Sequence, residues 1–221
     1  MTRWLFVDGQ GVLFEVAPRN ERARKALPGG VDVAEPDLLA ALAAADGAVA
    51  GAEAIHTERD ERDYWVAYWR AFLRHLGLPE SHAAVMHREA LWVRHARLYP
   101  EVPDVFGQIQ DAGYRIGLIS NGPPTIALGL SQMGVVYFFD SVTVSTEAGV
   151  RKPDPRIFRL ALATAGAEPS DAWFVDDQPA HVRAAAQLGM RALLIDRQGG
   201  RGEIQSLADL PRKMRQVDGP A

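Results

Sequence analysis

The chain contains no cysteine among its 221 residues. This absence excludes a disulfide framework, a cysteine nucleophile, thiolate ligation of zinc or of an iron–sulfur cluster, and attachment of a c-type haem. Histidine and oxygen-bearing side chains remain as candidate metal ligands and catalytic groups. Any reaction centre in this chain is therefore expected to use hard oxygen chemistry or histidine.

An excess of positive charge is also missing. Lysine and arginine number 24 against 28 aspartate and glutamate, which gives a net charge of −4, and both signs are scattered along the chain. Such a distribution gives no basic patch that would bind a phosphodiester backbone. Nucleic acid is therefore not expected as a partner.

Long apolar runs are absent as well. The first run, residues 4–7, is far too short for the hydrophobic region of a signal peptide. The most apolar stretch, residues 38–52, contains Asp46 and Gly47 and falls short of the roughly 20 residues that span a bilayer. We therefore expect a cytoplasmic protein without membrane contact. Because 48% of its residues are hydrophobic, it is expected to bury a substantial core.

The first half of the chain combines a strand signal with a long helical segment. Residues 4–7 end at Asp8 and Gly9, the pattern of a buried strand followed by a polar turn. Between residues 15 and 99 the signals are helical and no strand signal interrupts them. The clearest helix carries an apolar stripe at offsets 0, 3, 4, 7, 8 and 11, formed by Trp65, Tyr68, Trp69, Phe72, Leu73 and Leu76.

After Pro100 the pattern alternates between helix and strand. Strands are predicted at residues 115–119, 141–144, 172–175 and 191–195, and helices at 102–112, 125–133, 155–165 and 180–188. Alternation of this kind predicts an α/β fold, a Rossmann-like and mostly parallel sheet with helices on both faces. The helical segment of residues 15–99 predicts an inserted all-helical domain. Sites in such sheets lie at the carboxyl ends of the strands.

Polar residues follow several of these predicted strands. Asp8 follows the first strand, Ser120 the second, and Asp176 and Asp177 follow residues 172–175, while Lys152 lies in a loop that can reach the same edge. Carboxylate oxygens suit a hard cation such as Mg²⁺. The lysine would balance the charge of a phosphoryl group, and the serine would hydrogen-bond one of its oxygens. The sequence thus predicts a site for a divalent cation and an anionic substrate.

Four segments in order resemble the haloacid dehalogenase-like hydrolase superfamily. They are WLFVDGQGVLF at residues 4–14, ISNG at 119–122, RKPDPRIF at 151–158 and FVDD at 174–177. Each is weak alone, but the ordered set is specific and covers nearly the whole chain. The family also inserts a helical cap after its first motif. The resemblance therefore implies a core of residues 1–14 and 100–221 and a cap of residues 15–99 that closes over the strand ends.

The resemblance also implies roles for individual residues. Asp8 would be the nucleophile that forms an aspartyl-phosphate. The implied catalytic set is Asp8, Gln10, Ser120 and Lys152. Substrate would be bound by Ser120, Asn121 and Lys152. Mg²⁺ would be held by Asp8, the backbone carbonyl of Gln10, and Asp177, with Asp176 nearby or acting through water.

Two positions depart from the family pattern. The phosphatases of the family carry a second aspartate two residues after the nucleophile, as general acid and base, and this chain has Gln10 there. A carboxamide cannot shuttle a proton near neutral pH, and general acid–base catalysis contributes about 10²- to 10⁴-fold. His181 stands where the family usually has Asp or Asn. It is expected to be a surface residue at a helix start, with a substitute proton-transfer role as the alternative.

Several functions stay open at this point. The first is a Mg²⁺-dependent phosphatase for a small phosphorylated metabolite, impaired or adapted to leaving groups that need little protonation, such as acyl or enol phosphates. The second is a binding or regulatory protein without turnover. A dehalogenase that uses Asp8 on carbon is a third, although that branch works without metal and lacks the acid pair Asp176 and Asp177; a fourth is another transfer reaction on the same scaffold. The aromatic stripe could also supply a homodimer face.

Overall fold

The computed structural model describes residues 2–51 and 54–218 and divides into two compact units. We call the part up to Glu15 and from Arg97 onward the core unit, and Val16–Ala96 the helical unit. The strands of the described residues are β1 (Arg3–Val7), β2 (Phe14–Val16), β3 (Ala96–Leu98), β4 (Tyr114–Ser120), β5 (Phe139–Val144), β6 (Ala172–Asp176) and β7 (Arg191–Leu194).

The helices of the same residues begin and end as follows, with short 3₁₀ turns between some of them. They are α1 (Arg19–Ala26), α2 (Glu35–Ala48), α3 (Glu58–His75), α4 (Ala83–Ala90), α5 (Val102–Asp111), α6 (Ile126–Gln132), α7 (Ser145–Ala148), α8 (Pro155–Ala165), α9 (Pro179–Gln187) and α10 (Leu210–Asp218). No helix in this described part is long and apolar enough to cross a membrane.

The core unit contains a five-stranded sheet in the order β5-β4-β1-β6-β7. Every neighbouring pair of its strands is parallel. The central strand β1 is apolar over residues 4–7 and its neighbour β6 over residues 172–175, and Trp4, Phe6 and Phe174 are at most 1% exposed. Continuous apolar runs are typical of parallel strands, because helices cover both faces of the sheet. The predicted α/β fold with a mostly parallel sheet is confirmed.

Local signals set the ends of the crossover helices. Asp154 caps α8 by accepting a hydrogen bond from the backbone N–H of Arg156, and Pro155 occupies the first turn. The helix ends at Gly166, which adopts the left-handed conformation. These caps determine where the chain leaves the helix and enters β6.

The helical unit has its own apolar cluster. Its longest helix, α3, starts with a capping box in which Thr57 and Asp60 satisfy each other's backbone N–H groups. The predicted aromatic stripe lies on this helix, and Tyr68, Phe72 and Leu73 are fully buried. The stripe is therefore part of the interior of the unit.

The prediction that no strand interrupts residues 15–99 is wrong. β2 and β3 pair with each other, and both extend into this segment. The chain enters the helical unit within β2 and returns to the core unit within β3. The amide of Ala17 donates to the carbonyl of His95 at 3.2 Å, and that of Tyr99 donates to Leu13 at 2.9 Å, so the strands are antiparallel. Strands of three residues are too short to give a periodic signal.

Candidate active site

The predicted polar residues meet at one edge of the sheet. Asp8 directly follows β1, Ser120 ends β4, and Asp176 ends β6. Val7 is paired with Leu118 on one side and with Val175 on the other, so the three strands end at nearly the same level. The sheet order thus brings together side chains that are 56 to 168 residues apart in sequence.

Lys152 lies at the centre of this cluster with its side chain fully buried. Its ammonium donates to Asp8 Oδ1 at 2.6 Å, to the carbonyl of Ile119 at 2.7 Å and to Asp176 Oδ2 at 2.7 Å. An ammonium group has three N–H donors, and all three are used here. The lysine therefore links two carboxylates and the end of β4.

Asn121 holds the loop that carries Lys152. Its side-chain amide donates to the carbonyl of Lys152 at 2.9 Å, and its oxygen accepts the backbone N–H of Lys152 at 2.8 Å. This pair of hydrogen bonds fixes the backbone from which the buried ammonium extends. In the structure, the residue thus positions Lys152; its predicted contact with substrate stays a prediction.

Three carboxylates could share a cation at this edge. Asp8, Asp176 and Asp177 each offer one oxygen, and these oxygens lie within 4.8 Å of one another. Asp176 is also held by its own surroundings, because its Oδ1 accepts the backbone N–H of Gln178 at 2.8 Å. Three oxygen donors in this arrangement fit a hard cation such as Mg²⁺. Asp8 and Asp177 would be its main ligands, since Lys152 and Gln178 already occupy both oxygens of Asp176.

His181 belongs to this cluster and does not lie on the open surface. Its Nδ1 lies 3.0 and 3.1 Å from the two oxygens of Asp176, and its side chain is 15% exposed. The expectation of a surface histidine is therefore wrong. The start of α9 follows β6 after two residues, so the helix's first turn brings the ring back over the strand end.

The carboxylates have different proton affinities because their surroundings differ. Burial raises the pKa of Asp8, and Lys152 opposes this shift without cancelling it. Burial also works to raise the pKa of Asp176, but hydrogen bonds from His181 and Lys152 outweigh it and hold that pKa below its ordinary value. Burial and the neighbouring charge of Asp176 raise the pKa of Asp177. Asp176 is thus the carboxylate most firmly held in its charged form.

Gly11 leaves the space that Asp177 occupies. A Cβ atom at this position would lie 2.4 Å from Asp177 Oδ2, and the glycine has a φ of +86°. Both the close approach and the left-handed backbone require glycine. The carboxylate of Asp177, a candidate metal ligand, can therefore lie against the loop after β1.

Arg197 also binds the loop after β1. Its guanidinium donates to the carbonyls of Gly11 at 3.1 Å and Val12 at 2.6 Å, and to Glu101 at 2.8 Å. It also lies 3.4 Å from the centre of the Tyr99 ring. Sequence reasoning missed this network, because its members lie far apart in the chain and no local pattern links them. Gln10, within this loop, is exposed.

Comparison with curated proteins shows which sequences this chain resembles. A phosphoserine phosphatase of Thermus thermophilus is 38% identical over 102 residues, 45% of this chain and 41% of that protein. The match therefore spans about two fifths of that relative's length.

Two solved structures resemble the chain over nearly its whole length. A HAD phosphatase from Thermococcus onnurineus has a TM-score of 0.66 at 23% identity and covers 99% of both chains. A 2-haloacid dehalogenase from Pseudomonas syringae pv. Tomato DC3000 has a TM-score of 0.69 at 21% identity, covering 98% of this chain and 99% of its own. At these identities the likeness shows the fold alone.

The sequence model of the haloacid dehalogenase-like hydrolases matches residues 2–189, well over half of the chain. The parallel sheet and the polar residues at its strand ends lie almost wholly within this range. The chain therefore belongs to the haloacid dehalogenase-like hydrolase family.

Proposed function

We propose that the protein is a Mg²⁺-dependent phosphatase that acts on a small phosphorylated metabolite through an aspartyl-phosphate on Asp8. The observation that carries this proposal is the cluster around Lys152, in which one ammonium binds Asp8 and Asp176 while Asp177 lies within reach of both. This combination of three acids and one buried cation suits a metal and a phosphate together. The phosphoserine phosphatase among the relatives supports the same class of substrate.

Each residue of the cluster has a separate role in the proposed reaction. Lys152 orients the carboxylate of Asp8 and favours its charged form, against the burial that raises its pKa. The carboxylate attacks phosphorus, the bond to the leaving-group oxygen breaks, and water later hydrolyses the aspartyl-phosphate. Ser120 would hydrogen-bond a phosphoryl oxygen. Bound Mg²⁺ would offset the repulsion between the nucleophile and the phosphate.

Gln10 restricts the leaving groups that the proposed reaction can release. Its carboxamide can donate a hydrogen bond but cannot protonate a departing alkoxide. A leaving group that is stable as an anion needs no such proton. Acyl and enol phosphates, which release carboxylates and enolates, are therefore the favoured substrates.

The proposal also keeps the wider predictions made from the sequence. It includes a core of residues 1–14 and 100–221, a helical cap of residues 15–99 and a cytoplasmic location. No nucleic acid or membrane takes part in the proposed reaction. A homodimer stays a prediction that sedimentation of the purified protein would test.

The test compares hydrolysis of acetyl phosphate and O-phosphoserine, with and without Mg²⁺, for the wild type, Gln10→Asp and Asp8→Asn. The wild type is expected to favour acetyl phosphate, and Gln10→Asp to accelerate O-phosphoserine hydrolysis by about 10²-fold or more while gaining less on acetyl phosphate. Asp8→Asn serves as the blank, because an amide is not a nucleophile of this kind.

Three results would contradict the proposal or a part of it. If the wild type shows no activity above Asp8→Asn on either phosphate, a binding role becomes the better explanation. If the wild type releases chloride from 2-chloropropionate without metal, the protein is a dehalogenase. Efficient O-phosphoserine hydrolysis by the wild type, with no gain in Gln10→Asp, would overturn the role assigned to Gln10.

A further inference from the structure

A pocket in the helical unit has none of the candidate active-site residues in its lining. Three tryptophans line it, Trp65, Trp69 and Trp92, together with Arg22, His87 and Leu91. Its volume is about 50 Å³, and it opens to solvent. A closed apolar cavity of about 150 Å³ holds benzene, so this pocket takes the edge of one ring and leaves the rest of the molecule in solvent.

Arg22 places a positive charge on the wall of this pocket. Its guanidinium donates to the carbonyls of Ala17 at 3.1 Å and Ala90 at 2.7 Å. These bonds use two of its five N–H donors and neutralise none of its charge. No carboxylate of the described residues lies within ion-pair distance of Arg22, whereas Arg19 on the same helix is held by both oxygens of Asp46 at 2.8 Å.

The charge of Arg22 is costly where it lies. Burial and the neighbouring charge of Arg19 lower the pKa of Arg22. A partly buried cation with no opposite charge nearby is destabilising unless something else compensates it. An anion in the pocket would supply that compensation.

The remaining walls favour a flat apolar molecule. The rings of Trp65 and Trp69 are stacked with their planes inclined by 27° and their centroids 6.3 Å apart, and Trp65 is half-buried. Burial and the nearby charge of Arg62 lower the pKa of His87, so its ring is neutral at pH 7 and adds no second positive charge. The pocket therefore offers aromatic surface and a single cation.

We propose that this pocket binds a small aromatic carboxylate, with the carboxylate on Arg22 and the ring against the tryptophans. A planar guanidinium fork matches the two oxygens of a carboxylate, and indole faces accept a flat ring. All the lining residues belong to the helical unit, and the proposal is independent of the phosphatase activity proposed for Asp8.

The experiment titrates the full chain with benzoate and, separately, with the uncharged analogue benzamide. Binding is followed by tryptophan fluorescence, to which the pocket contributes three of the five tryptophans, and by calorimetry. Saturable binding of benzoate is expected, about tenfold or more tighter than that of benzamide. Arg22→Gln should remove this preference and leave benzamide binding unchanged.

Arg19→Gln is the matched control, because it removes an equal charge from the same helix at a position outside the pocket lining. It should keep the preference for benzoate, and so should Asp8→Asn, which separates this site from the proposed phosphatase site. Arg22→Lys retains the charge and should keep a smaller preference for benzoate. If circular dichroism shows that Arg22→Gln is unfolded, Arg22→Lys tests the proposal in its place. Equal affinity for the two ligands, no saturation, or an equal effect of Arg19→Gln would overturn the proposal.

Discussion

Gly11 marks a close approach between the loop after β1 and the side chain of Asp177. Gly11→Ala should destabilise the protein in two ways, through its φ of +86° and through the overlap of the new Cβ with the carboxylate. Gly199 is a matched control, because its φ is also 86° but the nearest side-chain atom to its Cβ would be 3.7 Å away.

Urea denaturation of both variants separates these effects. Gly199→Ala should lose about 1–3 kcal/mol from backbone strain alone, and Gly11→Ala should lose more. Equal losses would show that Asp177 moves aside at little cost.

Lys152 is a second residue whose effect can be measured directly. Replacing it in Lys152→Met leaves Asp8 and Asp176 without their shared cation in a site that water barely reaches. The free energy of unfolding should fall by about 3–5 kcal/mol at neutral pH without added metal, and Lys152→Met combined with Asp176→Asn should recover part of the loss. A loss below about 1 kcal/mol, as for a surface pair, would contradict the buried ion-pair network.

At the scale of the elements, Glu101 connects the start of α5 to Arg197 and to the hydroxyl of Ser206. Burial works to raise the pKa of Glu101, but these hydrogen bonds outweigh it and hold the pKa below its ordinary value. A carboxyl with a lowered folded-state pKa contributes stability above its unfolded pKa, about 4.3, and loses that contribution as the pH falls through the folded value.

Glu101→Gln should therefore be less stable than the wild type at pH 7, and the difference should shrink as the pH falls below about 4. Chemical denaturation at pH 7 and pH 3 measures it. In an Arg197→Gln background the dependence on pH should largely disappear. A difference that is the same at both pH values would mean that the carboxylate charge contributes nothing.

The elements also show what the sequence can predict. The strands at residues 4–7 and 172–175 were predictable because parallel strands covered on both faces are continuously apolar. β2 and β3 were missed, because each is only three residues long and forms only where two segments distant in sequence meet. The positions of Asp8, Ser120 and Asp176 followed from strand ends. In contrast, the three contacts of Lys152 and the network of Arg197 depend on register and side-chain direction, which no local pattern encodes.

On the scale of the whole molecule, each unit has apolar clusters made from its own residues. Phe72 belongs to the cluster of the helical unit, and Phe174 packs edge-to-face on Phe158 in the core unit. Phe72→Ala should cost about 3–5 kcal/mol and lower hydrogen-exchange protection mainly within residues 16–96. Phe174→Ala should lower it mainly in the parallel sheet. Uniform loss in both variants would show a single cooperative unit.

The antiparallel ribbon of β2 and β3 gives the chain a closed loop, because residues 17–95 leave and return through paired strands. In polymer terms, bringing the ends of a disordered loop this long together costs roughly 2–3 kcal/mol more than closing a turn of a few residues. Once the helical unit is folded, its ends already lie side by side and that entropy has been lost. Folding of residues 16–96 therefore favours closure of the ribbon, and closure of the ribbon favours their folding, through chain connectivity alone.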